Sequence, residues 1–197
     1  MTAKRLLYIN GNFQSSPLLS VLRRIDRLFA EHSVPYAIIG GLAVVRSGAV
    51  RTTADIDILT SKEGWQTISD TAPLDIQPTG PDSAVDASTG VQIDVLLAGD
   101  DWEMVIPLAK PEDVREYDDD LGAWFISLLH LLELKTAVYL KKLDEDGIEI
   151  AAKDLADIVA LLEANAYRID DAFIQKIRIE VREEFTRILE RVRKRRT

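Results

Sequence analysis

Residues 35–59, PYAIIGGLAVVRSGAVRTTADIDIL, contain the pattern that decides the fold. A short apolar run at 36–39 ends on a glycine pair at 40 and 41. Small and aliphatic residues with helical character follow at 42–47 and stop at Gly48. Because glycine tolerates sharp changes of backbone direction, the segment predicts a strand, a tight turn and a short helix.

Acidic and aliphatic residues alternate at the end of this stretch, in Asp55-Ile56-Asp57-Ile58. Successive side chains of a strand point to opposite faces, so the two aspartates share one face of the predicted strand. Two carboxylates held side by side repel each other unless positive charge lies between them. Since carboxylate oxygens suit Mg²⁺, the alternation predicts a metal site at Asp55 and Asp57.

The glycine pair predicts a second part of the same site. A glycine pair between a strand and a helix lets backbone N–H groups approach a phosphate at the positive end of the helix. We therefore expect Gly40 and Gly41 to cradle phosphate beside the paired carboxylates. A phosphate cradle next to metal-binding acids is typical of a nucleotide site.

A third acid lies in the strongest predicted strand of the second half, VQIDVLL at 91–97. Asp94 interrupts an aliphatic run there, and an ionised carboxylate buried without a partner is strongly unfavourable. Two partners would remove that penalty. One is a metal shared with Asp55 and Asp57, and the other is an arginine in a structural ion pair.

Gly40-Gly41, Asp55-Ile56-Asp57 and Asp94, in that order, resemble the nucleotidyltransferase superfamily typified by DNA polymerase beta. That family carries a Gly-Gly or Gly-Ser pair at the end of a strand, then an acid-aliphatic-acid strand, then a third acid on a later strand. The resemblance covers residues 18–100 and implies an α/β fold, with a mixed sheet and flanking helices followed by a C-terminal helical domain. We expect a nucleotidyltransferase domain at 1–122 and a helical domain at 123–197.

A looser resemblance, to the abortive-infection toxin branch of the superfamily, covers most of the chain. It rests on Arg51 and Thr53 before the acidic strand, on Lys135, and on the pair Lys153-Asp154. It implies that Lys135 contacts phosphate and that Asp154 orients it. The alternative for Lys135 is a stem lying on apolar surface with its charge in water. For Asp154 it is an ordinary position at the edge of its helix's apolar stripe, and for Arg51 and Thr53 it is ordinary loop chemistry.

The resemblance also implies the chemistry. Asp55, Asp57 and Asp94 would be the catalytic, metal-binding acids for two Mg²⁺ ions, with an NTP as substrate, and Asp94 would also take the proton of the acceptor hydroxyl. The nucleotide-binding residues would be Gly40, Gly41, Ser47, Arg51, Thr53, Lys135 and Asp154.

The expected reaction moves a nucleoside monophosphate from an NTP to an acceptor hydroxyl and releases pyrophosphate. By the toxin-branch resemblance the acceptor is tRNA or a protein side chain, and a cognate antitoxin is an expected partner. Two alternatives stay open. One is a small-molecule acceptor, as in aminoglycoside nucleotidyltransferases, and the other is a catalytically silent NTP-binding or interaction module.

Composition narrows the class of protein. The chain has 197 residues, 47% hydrophobic and 29% charged, which is ordinary for a globular protein with a core. Its formal net charge of −9 argues against a general polyanion-binding surface. It contains no cysteine, which excludes disulfides and zinc-cysteine sites. No apolar run has membrane-spanning length, so we expect a cytoplasmic protein with no membrane partner.

Periodicity predicts the remaining elements. A helix should begin at Pro17 and end near His32, and a short helix should follow the acidic strand. Residues 71–90 should be loops with at most a short strand at 74–77, and 98–121 should be irregular with a short strand at 104–108. Three further helices are predicted, at 125–142, 153–163 and 171–194.

Overall fold

A mixed sheet forms around the glycine pair and the acidic strand. The computed structural model describes residues 16–71, 76–99 and 105–195. Residues 1–14, for which the sequence predicts either a loose strand or an N-terminal arm, lie outside these ranges. The strands are β1 (Tyr36–Ile39), β2 (Ile56–Ser61), β3 (Ile76–Gly80), β4 (Ser83–Asp86), β5 (Gln92–Ala98), β6 (Arg115–Asp118) and β7 (Ala123–Ile126). Their order is β3-β4-β5-β2-β1-β7-β6.

Parallel and antiparallel neighbours alternate through the middle of this sheet. β1 is antiparallel to β2 and parallel to β7, while β2 is parallel to β5. The outer pairs, β3 with β4, β4 with β5, and β6 with β7, are antiparallel. The predicted mixed α/β sheet is therefore confirmed, and β2 and β5 bring the two acidic segments onto neighbouring strands.

Helices cover the sheet and make up the C-terminal part of the chain. They are α1 (Pro17–Glu31), α2 (Gly40–Arg46), α3 (Lys62–Thr71), α4 (Pro111–Val114), α5 (Leu128–Glu145), α6 (Ile148–Ala164), α7 (Asp171–Lys176) and α8 (Ile179–Lys194), with a short 3₁₀ turn at Ala166–Arg168. The apolar positions of α1, including Leu22, Ile25 and Phe29, are buried as their helical spacing predicts. α5, α6 and α8 pack on one another.

The sheet has more strands than the sequence predicts. Residues 76–86, expected to be mostly loop, form the β3–β4 hairpin. The predicted strand at 104–108 is wrong for its described part, since 105–108 contains no strand. The predicted helix start at Phe125 is also wrong, because Phe125 is fully buried in β7 opposite Ile38 of β1. Pairing with β1 decides the conformation of a run too short to show a clear period.

The predicted final helix is broken in two. Ile177 and Arg178 have extended backbones between α7 and α8. Glu133 on α5 explains the break, because its Oε1 accepts the backbone N–H of Arg178 at 2.8 Å. A side chain from another helix thereby satisfies a donor that a continuous helix would have used.

The strands continue past the expected domain boundary at residues 122 and 123. That boundary falls inside the β6–β7 hairpin, the last strand ends at Ile126, and the helical part begins with α5. The division of the chain into two domains stays a prediction.

Across the ranges that the structure describes, no helix is both long enough and apolar enough to span a bilayer.

Candidate active site

The glycine pair lies directly against Asp57, the first acid within β2. Ile39 of β1 pairs with Asp57 of β2, so the chain turns into α2 beside that carboxylate. The Gly41 N–H donates to Asp57 Oδ2 at 3.3 Å. A Cβ on Gly40, whose φ is +58°, would lie 1.8 Å from the same oxygen. Only glycine therefore allows this turn and this carboxylate to occupy adjoining space.

Asp94 lies beside Asp57 in the sheet. The two residues are register partners on the parallel strands β2 and β5, which places their side chains on one face about 5 Å apart at the backbone. Asp94 and Gln92 are exposed, so the expectation that Asp94 is buried within its aliphatic run is wrong. The arginine ion pair considered as an alternative is absent from the described part of the chain. Asp94 is therefore an open carboxylate next to Asp57.

Asp55 lies in the bend that leads into β2. Its Oδ1 accepts the hydroxyl of the buried Thr53 at 2.5 Å. Burial alone would raise the pKa of Asp55, but the Thr53 hydroxyl, the backbone N–H of Asp55 itself and the charges of Lys153 and Arg51 lower that pKa below its usual value. Asp55 is thus held as a carboxylate, and Thr53 orients it.

Asp57 has the opposite electrostatic environment. Burial and the negative charge of Asp55 raise its pKa, with a smaller contribution from Asp94. The Gly41 N–H and the ammonium of Lys135 oppose that rise only in part. The charged form of Asp57 therefore lies in a region of uncompensated negative potential, which a cation would relieve.

This donor set fits a hard divalent metal. Asp55, Asp57 and Asp94 present carboxylate oxygens from adjacent backbone positions, which is the ligand chemistry of Mg²⁺. Within 16–71, 76–99 and 105–195, however, no three His, Cys, Asp or Glu side chains already form a compact metal-binding group. Asp55 accepts a hydrogen bond from Thr53, and Asp57 accepts one from Gly41. The acids are neighbours, and their convergence on a metal stays a prediction.

A buried network of charges lies on the helical side of the site. Lys135 Nζ on α5 contacts Asp154 Oδ1 at 3.0 Å and Asp157 Oδ2 at 2.8 Å, both on α6. Arg51 Nη1 contacts the same Asp157 oxygen at 2.8 Å, and Lys142 contacts Asp154 Oδ2 at 2.7 Å. Lys135 is therefore not a snorkelling side chain, because Asp154 and Asp157 both form ion pairs with its ammonium.

Similar solved structures were found at low sequence identity. An antigenic nucleotidyltransferase-like protein from Paracoccidioides brasiliensis has a TM-score of 0.54 and 17% identity, over 76% of this chain and 77% of that one. ANT(2″)-Ia, solved in complex with adenylyl-2″-tobramycin, has a TM-score of 0.50 and 12% identity, over 92% of this chain and 100% of that one. The fold is that of these nucleotidyltransferase-like proteins. No protein-family model and no curated protein sequence matches the chain.

In this nucleotidyltransferase-like fold, one predicted site residue stands apart. Ser47 lies at the C-terminal end of α2, whereas the glycine pair begins that helix. A helix of this length separates its ends by about 10 Å. The Ser47 backbone carbonyl accepts the side-chain amide of Asn165 at 2.8 Å, and Ser47 lines a cavity of about 330 Å³ with Tyr167 and Arg168. The structure does not bring Ser47 together with the acids.

Two charged residues near the site, Asp157 and Lys142, were not predicted from the sequence, and a third, Lys153, was named there only as part of the Lys153-Asp154 pair. Asp157 joins Arg51 to Lys135, Lys142 supports Asp154, and Lys153 acts on Asp55 through its charge. The available signal was the spacing of Asp154 and Asp157, which puts both on one face of α6. That the face meets Lys135 depends on how α5 packs on α6.

Proposed function

We propose that this protein is a metal-dependent nucleotidyltransferase that moves a nucleoside monophosphate from an NTP to an acceptor hydroxyl. The observation that carries the proposal is the juxtaposition of the Gly40-Gly41 turn with Asp57, and of Asp57 with Asp94 across two parallel strands. The fold shared with nucleotidyltransferase-like proteins supports it.

The residues divide the reaction between them. Asp55, Asp57 and Asp94 would hold Mg²⁺, which when bound neutralises the triphosphate and lowers the pKa of the acceptor hydroxyl. The backbone at Gly40 and Gly41 approaches the phosphates, and Arg51 and Lys135 offer positive charge beside them.

Bond changes follow from this placement. The acceptor oxygen forms a bond to the α-phosphorus, the bond from that phosphorus to the oxygen bridging to the β-phosphate breaks, and pyrophosphate leaves. The hydroxyl proton passes to Asp94, the exposed carboxylate of the three. An open position suits Asp94 for this role because the acceptor must reach it from solvent.

The proposed acceptor is tRNA or a protein side chain, with a toxin role and a cognate antitoxin. This finer assignment rests on the toxin-branch pattern of Arg51, Thr53, Lys135, Lys153 and Asp154. A cationic small molecule such as an aminoglycoside is the second candidate, and the net charge of −9 favours it, since an acidic protein attracts cations more readily than polyanions.

Radiolabelled transfer separates these candidates. The protein is incubated with Mg²⁺ and each of the four α-³²P-labelled NTPs, in parallel with total tRNA, with cell protein and with tobramycin. We expect label in one acceptor class only, abolished by EDTA. A folded protein that labels none of them with any NTP would contradict the proposal of an active enzyme and leave the silent module.

Lys135→Met tests the contribution of the buried ammonium. Removing a charge-assisted phosphate contact should reduce NTP use about tenfold or more. The variant should also lose about 3 kcal/mol of stability, because it leaves Asp154 and Asp157 with fewer compensating charges. Thermal melting and the KM for the NTP are measured on the same preparation.

The control for this variant is Lys142→Met. Lys142 also pairs with Asp154, but its side chain is 36% exposed and, in the part of the chain that the structure describes, it forms no ion pair with Asp157 and does not share a carboxylate with Arg51. Stability should fall less than in Lys135→Met and the KM should stay at the wild-type value. A folded Lys135→Met protein with an unchanged KM would remove Lys135 from the nucleotide site.

The ion pair between Lys135 and Asp154 predicts that the stability of the protein depends on pH. Burial raises the pKa of Asp154, but the charge of Lys135 and the hydrogen bonds from Lys142 and Lys135 lower it below 3.8 overall. Because the pKa of Asp154 is lower in the folded state than in the unfolded state, its ionised form stabilises the protein at any pH above the unfolded-state pKa. That stability is lost as the pH falls through the folded-state pKa. Lys135→Met should therefore show a smaller loss of stability than the wild type on acidification below about pH 4.

A further inference from the structure

Asp157 joins cations from two distant parts of the chain through one oxygen atom. Its Oδ2 lies 2.8 Å from Arg51 Nη1, in the segment before β2, and 2.8 Å from Lys135 Nζ on α5. The Asp157 side chain is 7% exposed, and those of Arg51 and Lys135 are 17% and 11% exposed. Water therefore screens these contacts much less than it would at the surface.

Both cations also reach the proposed nucleotide site. The Arg51 guanidinium carbon is 3.3 Å from the position that a Cβ on Gly41 would occupy, so it lies beside the phosphate cradle. The charge of Lys135 acts on the Asp57 carboxylate. Asp157 thus holds two positive groups, one beside the cradle and one whose charge acts on Asp57.

Each cation keeps donors for an incoming anion. An ammonium has three N–H groups, and Lys135 donates one to Asp154 Oδ1 and forms an ion pair with Asp157. A guanidinium has five, and Arg51 uses Nη1 on Asp157. Among the described residues, no hydrogen bond from the other Arg51 nitrogens is seen. The Asp157 carboxylate therefore fixes both side chains and leaves each of them with N–H groups that can bind an incoming anion.

We propose that Asp157 is a positioning residue for the triphosphate, because it holds Arg51 and Lys135 in place before the NTP arrives. This inference rests on the proposed function of NTP transfer. Long cationic side chains lose rotamer freedom when they order on a phosphate, and a carboxylate that has already ordered them lowers that cost on binding. Asp157 also lets two like charges lie close together, which their mutual repulsion would otherwise oppose.

A double-mutant cycle tests the inference. The KM and kcat for Mg²⁺-NTP are measured for wild type, Asp157→Asn, Arg51→Gln and the double variant. We expect Asp157→Asn to raise KM about tenfold with a smaller change in kcat, since the acids and the reacting atoms are untouched. In the Arg51→Gln background the same substitution should raise KM only about twofold to threefold, because Lys135 is then the one cation left for it to position.

Three outcomes would overturn it. They are an unchanged KM in Asp157→Asn, a lowered KM, which would mean that Asp157 competes with the triphosphate for the cations, and an equal rise in KM in both backgrounds. Should Asp157→Asn fail to fold, Asp157→Glu takes its place, because the extra methylene displaces the carboxylate from Arg51. A several-fold rise in KM that shrinks in the Arg51→Gln background supports the inference, and an unchanged KM overturns it.

Asp118→Asn is the matched control. It removes the carboxylate of another partly buried pair, Arg46 with Asp118 at 3.1 Å, with both side chains 18% exposed. Its KM should equal that of the wild type even if its melting temperature falls. A wild-type protein that neither binds nor transfers any NTP would overturn the proposed function itself. Normal NTP use in both wild type and Asp157→Asn would overturn only the role of Asp157.

Discussion

Asp57→Asn is expected to abolish nucleotidyl transfer and to leave the protein at least as stable as the wild type. Asparagine keeps the shape of the side chain and can still accept a hydrogen bond from the Gly41 N–H. It removes the negative charge of Asp57, which neighbours the acids Asp55 and Asp94. Losing a metal ligand forfeits roughly 4 kcal/mol of transition-state stabilisation, which is about a thousandfold in rate. The measurements are initial transfer rate and thermal melting.

The expected gain in stability follows from the raised pKa of Asp57. Burial, Asp55 and Asp94 all favour the protonated form in the folded protein. Because the pKa of Asp57 is higher in the folded state than in the unfolded state, the stability of the protein falls as the pH rises from the unfolded-state pKa through the folded-state pKa. At neutral pH the ionised carboxylate is therefore destabilising. Asp57→Asn removes that penalty, and its melting temperature without metal should equal or exceed that of the wild type at pH 7.

Asp70→Asn on the exposed face of α3 is the control, because the Asp70 carboxylate accepts a hydrogen bond from Gln66 on the same helix and, within the described ranges, has no hydrogen bond or ion pair with a predicted site residue. Its transfer rate should match the wild type. A folded Asp57→Asn protein with wild-type transfer would defeat the mechanism. A large drop in melting temperature would instead mean that Asp57 serves the fold.

Gly40→Ala should have the second largest effect. A Cβ at this position would lie 1.8 Å from Asp57 Oδ2, so either the carboxylate or the start of α2 must move. The backbone φ of +58° adds about 1 kcal/mol of strain for alanine. Displacing a catalytic group by this much should lower the transfer rate about a hundredfold.

Gly122→Ala separates the two contributions. Gly122, in the β6–β7 turn, has a φ of +67°, and nothing lies within 4 Å of its Cβ position. It should lose a similar amount of stability from backbone strain while keeping full activity. Equal activities in the two variants would show that the space between Gly40 and Asp57 is not needed for transfer.

The part of the fold that sequence predicts best is the part with the clearest period. β1 matches the apolar run at 36–39, and β2 begins one residue after the first acid, because alternation and flanking glycine are local signals. β7 has four residues, and its apolar run leads into α5, so only its pairing with β1 and β6 distinguishes it from helix. The break before α8 depends on Glu133, 45 residues away in sequence.

The candidate site divides in the same way. Gly40, Asp57 and Asp94 are predictable because strand alternation and the glycine turn determine their faces. The exposure of Asp94 is not predictable, since an aliphatic run does not say which face of its strand is covered. The role of Asp157 also escapes the sequence, because its partners lie on α5 and in the segment before β2, and only tertiary packing brings them to one oxygen.

Calorimetric titration of the protein with non-hydrolysable NTP analogues tests whether the protein binds NTP through Mg²⁺ and Asp57. Each of the four analogues is titrated into wild type and into Asp57→Asn, with Mg²⁺ and with EDTA. We expect at least one analogue to bind the wild type saturably. This binding should require Mg²⁺ and should be strongly weakened in Asp57→Asn. Absence of binding for all four, or equal metal-independent binding to both proteins, would contradict this expectation.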